Sequence, residues 1–245
     1  MKMMITKHPS AWPARFDLMQ SATGPFVALF MWLHMFFVSS ILLGKDAMWT
    51  VARFFEGYFF FGTNFPLLVS GFVALIFSLI IIHSALALRK FPANCKQYSR
   101  FWQHMRSMRH GDTTLWLVQV VTGFIMFFLA SVHLYIMLSQ PELIGPYASA
   151  DRVWSLRMWP LYLLLLFAVE LHGAVGLYRL AIKWGWFDRG DPQSTRRRLK
   201  TAKWIMSIFF LVLGLATLAA YIKIGIDHSA NVGELYTPSW MEVQQ

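Results

Sequence analysis

Residues 114–139 read TLWLVQVVTGFIMFFLASVHLYIMLS, an apolar run with no Asp, Glu, Lys or Arg and a single histidine, His133. A helix rising about 1.5 Å per residue needs about 20 residues to cross the roughly 30 Å of hydrocarbon in a bilayer. The run is long enough to do so. The acid and hydroxyls of Gly111-Asp112-Thr113-Thr114 suit a helix start, and Pro141 marks its stop. Four other stretches read the same way, roughly 22–43, 65–89, 157–181 and 203–224. With 57% apolar and 17% aromatic residues, the chain is too greasy for a soluble domain of 245 residues. The expected fold is therefore all-α: one integral membrane bundle of five transmembrane helices spanning residues 1–245. Its loops are too short to fold as a separate catalytic domain.

Charge orders these spans. Lys2, Lys7 and Arg15 precede an apolar run that is too long for a signal-peptide core and lacks a small-residue cleavage site, so the first span is expected to be retained. It opens after Asp17 and Gln20-Ser21, with Pro25 in its first turn. A net charge of +10 suits nucleic acid until the cations are assigned to alternating sides of a membrane. The N-terminal tail and the loops 89–113 and 179–203 hold 17 of the 22 Lys and Arg; the others are Lys45, Arg53, Arg152, Arg157 and Lys223. The positive-inside rule puts the N-terminus in the cytoplasm and the C-terminus outside. The basic excess is then topology, and no nucleic-acid partner is expected. Two adjacent basic loops form a face that suits an acidic partner or anionic lipid. Cys95 is the single cysteine, which excludes an intrachain disulfide and a cysteine-ligated cluster.

Of the eight histidines, His8, His104, His110 and His228 fall in tails or loops, whereas His34, His83, His133 and His172 each lie in a different span. One imidazole in a membrane helix is commonly a packing residue, but one in each of four spans points to ligation, because intramembrane ionisable groups are costly and rare. Span one reads Thr23-Gly24, nine residues, His34; span three reads Thr122-Gly123, nine residues, His133. Both run the same way, so this echo sets the two histidines at comparable depth, with glycine leaving room for a bulky flat group or close helix contact. Counting the helical rise from the span ends puts His83 with His172 in the inner half and His34 with His133 in the outer half, roughly 12–15 Å apart in mean depth.

Imidazoles facing each other from two helices of a bundle suit haem iron, and two axial nitrogens leave no position open for oxygen or substrate. Zinc and di-iron sites need three or four ligands close together, and no carboxylate and histidine cluster at i, i+3 or i, i+4 supplies them. The expected cofactors are two haem b groups, an inner one on His83 and His172 and an outer one on His34 and His133. Glu170 lies two residues before His172, on a different side of that helix, where a carboxyl suits a proton relay or a hydrogen bond locking two helices. Glu56 follows Phe54-Phe55 in the outer loop, at a level where an acid takes protons from a quinol or stays a solvated charge. Gln20, Ser21, Trp116 and Lys183 stand at the level of inner-haem propionates and Arg152 at that of the outer haem, although Lys and Trp there also serve as interfacial anchors.

The chain resembles the single large dihaem cytochrome b subunit of bacterial quinol:fumarate reductases. The matching stretches are Gln20-Ser21-Ala22-Thr23-Gly24, His34-Met35-Phe36-Phe37-Val38-Ser39, Leu88-Arg89-Lys90-Phe91-Pro92, Met108-Arg109-His110-Gly111-Asp112-Thr113-Thr114-Leu115-Trp116, Ser131-Val132-His133-Leu134-Tyr135-Ile136-Met137, and Glu170-Leu171-His172-Gly173 through Trp186-Phe187-Asp188. The resemblance runs from about residue 17 to 221 and departs in both tails and in 45–64. It implies an anchor, in the bacterial inner membrane, for a flavoprotein (FAD) subunit that reduces fumarate and an iron–sulfur subunit, both cytoplasmic, with menaquinol oxidised at the anchor; a dimer of such heterotrimers is compatible with it. It also implies the same histidine pairing, the quinol-site acid at Glu56, the acid of transmembrane proton movement at Glu170, and propionate partners at Gln20, Ser21, Trp116 and Lys183. The chain alone is not expected to reduce fumarate. The same fold serves a menaquinone-reducing succinate dehydrogenase, since direction depends on potentials and partners. A haem-free transporter or scaffold, with histidines as helix glue, is the remaining alternative and predicts no Soret absorption.

Overall fold

A computed structural model describes residues 10–108, 111–188 and 190–242. His8 and His110 lie outside the described residues. Among the described residues ten α-helices follow in order: α1 Trp12–Ser39, α2 Lys45–Phe55, α3 Tyr58–Phe61, α4 Pro66–Leu88, α5 Cys95–Met108, α6 Gly111–Ser139, α7 Pro146–Val153, α8 Trp159–Trp184, α9 Pro192–Asp227 and α10 Ser239–Glu242. Among the described residues five segments are long and apolar enough to cross a membrane: α1 with the 3-10 turn that extends it to Leu43, α4, α6, α8 and α9. They are greasy all round rather than on one stripe, as lipid-embedded helices are. Leu29, Leu67, Phe128, Ile208 and Val212 stay exposed on their flanks, while Ile76, Phe210 and Tyr221 are buried between them. Helix α6 packs on α8, α8 on α9, α1 on α4 and α4 on α6; α1 also touches α8 and α9.

Several helices outrun their apolar runs, because a helix persists past the hydrocarbon edge wherever its side chains find partners. Helix α1 begins at Trp12, so Pro25 lies in its interior and not in its first turn. There the proline removes the amide proton that would serve the Ser21 carbonyl. Helix α9 begins at Pro192 on an Asp191 cap whose carboxylate accepts from the amides of Gln193 and Ser194. The connections on the side of Lys90 and Lys183 form the basic end of the bundle, and the short helices α2, α3 and α7 lie at the opposite end.

The stretch 45–64, expected as a loop, folds as α2 and α3. Helix α2 is amphipathic and buries Met48, Trp49 and Ala52, with Asp46 in its first turn and Arg53 in its last. Gly57 takes a φ of 78°, which turns the chain after Glu56 so that the Phe65 amide can bond the Glu56 carbonyl at 2.9 Å. His228, expected in a tail, caps the end of α9 and is buried; its Nδ1 meets Asp151 at 2.9 Å, and its ring stacks on Tyr147 at 4.0 Å between centroids.

Candidate functional site

The structure brings His34 of α1 and His133 of α6 together, with ring centroids 6.1 Å apart and planes tilted by 55°. Two imidazoles on one metal, each at the roughly 2 Å bond an imidazole nitrogen makes, would hold their centroids about 6 Å apart. Phe30 stacks beside His34, and Tyr162 meets His133 edge-on at 5.6 Å. His133 Nδ1 is buried with no protein partner. Arg152, buried on α7, donates to the Leu143 carbonyl at 2.8 Å and to the Tyr162 hydroxyl, and is near enough to His133 for its charge to be felt there. Arg152 thus lies beside the pair at the end opposite the basic loops.

His83 of α4 and His172 of α8 occupy the basic half and are close enough to interact electrostatically. His172 Nδ1 lies 2.8 Å from the backbone carbonyl of Gln119. A carbonyl only accepts, so Nδ1 carries the proton and Nε2 keeps its lone pair. His83 Nδ1 lies 3.0 Å from Thr23 Oγ1, and that hydroxyl itself donates to the Met19 carbonyl at 3.0 Å. The His83 proton is then also on Nδ1, which leaves the Nε2 lone pair available. Each ring nests on a glycine of the facing helix: a Cβ added at Gly24 would stand 3.3 Å from His83 Cε1, and one at Gly123 would stand 2.9 Å from His172 Cε1. The Thr-Gly echo thus touches the histidines of the other pair, a contact the sequence reading did not foresee.

Of the residues expected near the propionates of the inner haem, Ser21 and Lys183 meet: the ammonium donates to Ser21 Oγ at 3.1 Å. Asp17 ion-pairs with both Lys183 and Lys90, a clamp that sequence reasoning missed. Gln20 Oε1 is buried without a partner, and Trp116 packs edge-on against Phe101 of α5 at 4.7 Å. The amide of Gln20 and the Lys183–Ser21 contact supply donors of the kind a carboxylate-bearing group requires.

Both singled-out acids are buried. Glu170 has no exposed surface; Oε1 accepts from Trp32 Nε1 of α1 at 3.1 Å and Oε2 has no protein partner. The helix-locking bond is real, and it occupies one oxygen of two. Glu56 is equally buried at the end of α2, which removes the solvated-charge reading. Its Oε2 pairs with Arg53 and its Oε1 is left without a partner. Burial pushes the Glu56 carboxyl above the usual range, and the Arg53 guanidinium holds it partly down. Arg53 was legible only as a cation three residues from an acid in a stretch read as a loop, and Trp32 had no sequence signal at all.

Comparison with known proteins adds the following. Residues 96–213 match the family described as succinate dehydrogenase/fumarate reductase transmembrane subunit. The chain is 57% identical over 220 residues to a protein of Wolinella succinogenes named fumarate reductase cytochrome b subunit, covering 90% of this chain and 86% of that one. It is 54% identical over 218 residues to a protein of the same name from Helicobacter pylori, covering 89% and 84%.

Proposed function

The chain belongs to the succinate dehydrogenase/fumarate reductase transmembrane subunit family, as a fumarate reductase cytochrome b subunit set in a membrane by several apolar helices, and from that premise we propose that it is the dihaem, quinol-oxidising anchor of a fumarate reductase complex. In this reading it holds the flavoprotein and iron–sulfur subunits at its basic, cytoplasmic end in the bacterial inner membrane, and electrons from menaquinol cross it inward. The observation that carries the reading is the pair of facing imidazoles, His34 and His133, offered by two helices at a separation that fits one shared metal. A second pair supports it, with both Nδ1 atoms occupied and both Nε2 atoms left to ligate. Haem bound between two imidazoles supplies one-electron transfer with no open coordination position.

The chain's own residues do the rest. His83 and His172 hold the inner group, His34 and His133 the outer one. Gln20, Ser21, Trp116 and Lys183 orient the inner propionates, and Arg152 serves the outer. At the outer end Glu56 takes a quinol proton on Oε1 while Arg53 fixes Oε2, and the full burial of Glu56 keeps bulk water away. Glu170 holds a proton at Oε2 midway through the bundle, positioned by Trp32. Haem quantitation on the purified complex tests the assignment. Two haems per chain are expected, with one lost in His34→Ala or His133→Ala and the other in His83→Ala or His172→Ala. One haem in the parent chain, or loss of both from a single variant that still folds, would sink the pairing.

A further inference from the structure

Helix α9 extends well past its apolar run at the basic end, and one face of that extension carries a shallow, open groove of about 350 Å³ lined by Gln193, Arg196, Arg197, Lys200, Thr201 and Trp204. Two of its cations are already positioned. Asp112, at the start of α6, pairs with Arg196 at 2.6 Å and Lys200 at 3.1 Å, and it also accepts from Tyr178. The groove has three cations, Arg196, Arg197 and Lys200, and Asp112 pairs with two of them, so it keeps a positive surplus, and side chains fixed in advance reduce the ordering cost of binding an anion. At the lower edge Trp204 is half exposed, with the Lys203 ammonium 3.8 Å from its ring centroid. An amphipathic ring at this depth belongs to the headgroup layer. Beneath it Ile208, Val212 and Leu215 continue at three- to four-residue spacing and stay exposed at 60%, 60% and 39%.

We propose that this groove binds the headgroup of an anionic phospholipid, whose phosphate is held by Arg197 and Lys200 while its acyl chains lie along Trp204 and the apolar stripe below. A soluble anion would use the cations and leave the ring and stripe idle. An acidic protein arriving from the aqueous side would do the same. Only an amphiphile uses both halves of the site.

The test is to purify the full chain in its complex, titrate it with phosphatidylglycerol or phosphatidylcholine, and count bound lipid by native mass spectrometry. Saturable retention of phosphatidylglycerol over phosphatidylcholine is expected. Arg197→Gln should weaken it roughly fivefold, the factor a single cation near an anionic headgroup contributes, and Arg197→Lys should keep most of it. Lys200→Gln should weaken it further; if that variant fails to fold because its bond to Asp112 is lost, Arg197→Gln, which leaves that bond in place, decides alone. Millimolar inorganic phosphate should not displace the lipid. Equal retention of the two lipids, or retention untouched by Arg197→Gln, overturns the proposal. So does displacement by phosphate, which assigns the groove to a soluble anion, and so does loss of the partner subunits from Arg197→Gln with lipid retention unchanged, which assigns it to protein docking.

Discussion

At Gly123 a single methyl group decides whether His172 keeps its place. The added Cβ would stand 2.9 Å from Cε1 and 3.2 Å from Nδ1 of that ring, and the ring cannot simply retreat because Nδ1 is tied to the Gln119 carbonyl. Gly123→Ala is therefore expected to lose the inner haem and keep the outer, leaving about half the Soret absorbance of the parent complex. A full Soret band in the purified variant would contradict this. The two buried acids call for a different readout. Glu56→Gln cannot accept a proton and should slow quinol-driven turnover by roughly 10²–10⁴-fold, and Glu170→Gln should slow it as well, both with unaltered haem spectra. Spectra that change along with the rate would reassign either acid to structure. The four histidines of the spans stood out because a polar residue in lipid is conspicuous. Thr23 and Gln119 were not, because a hydroxyl or a backbone carbonyl bound to an imidazole 53 or 60 residues away leaves no local pattern.

Helix α2 shows what an apolar-run reading passes over. Lys45, Asp46 and Arg53 break up its 11 residues, yet Met48, Trp49 and Ala52 share a buried face. A surface helix of this kind hides its apolar residues by periodicity, so it reads as a loop to any search for continuous grease. Its partner is the C-terminal segment: Tyr236 donates to Asp46 at 2.7 Å, Ser239 adds its amide at 3.1 Å and its hydroxyl at 2.7 Å, and Trp240 packs edge-on against Trp49. Donors from Ser239 first and Tyr236 next hold the Asp46 carboxyl below its usual range. A carboxyl with a depressed folded-state pKa contributes stability above its unfolded value, and that contribution is lost as pH falls through the folded one. The segment should therefore stay clamped at neutral pH and loosen only in strong acid, whereas Asp46→Asn should loosen it at neutral pH. Hydrogen exchange of amides 235–241 measures this, and protection unchanged by Asp46→Asn would show that the clamp is not Asp46. Nothing in the sequence tied residue 46 to residues 190 positions away, since such pairs exist only once the bundle has closed.

For the molecule as a whole, the five membrane helices were plain from composition and run length, and their order in the bundle was not, because greasy faces do not say which neighbour they prefer. Orientation rested on the cations, and Cys95 tests it directly: the residue is exposed at the start of α5 on the basic end, and the sequence has no other cysteine. A membrane-impermeant maleimide should label inverted vesicles and spare intact spheroplasts; labelling of the spheroplasts would turn the topology over. The glycine contacts carry one more consequence. In α1 and α4, the first helix brings His34 and the glycine, Gly24, that receives His83 of the second; α6 and α8 repeat the arrangement with His133, Gly123 and His172. Helices α1 and α4 thus form one packed pair and α6 and α8 a second with the same arrangement of glycine and histidines, and α9 packs beside them. His34 and His133 hold equivalent positions in the two helix pairs, as do His83 and His172, so under the proposed ligation neither pair of helices alone would hold both histidines of a haem. If the proposed haems are held as argued, half of this chain would be a membrane protein without a redox centre.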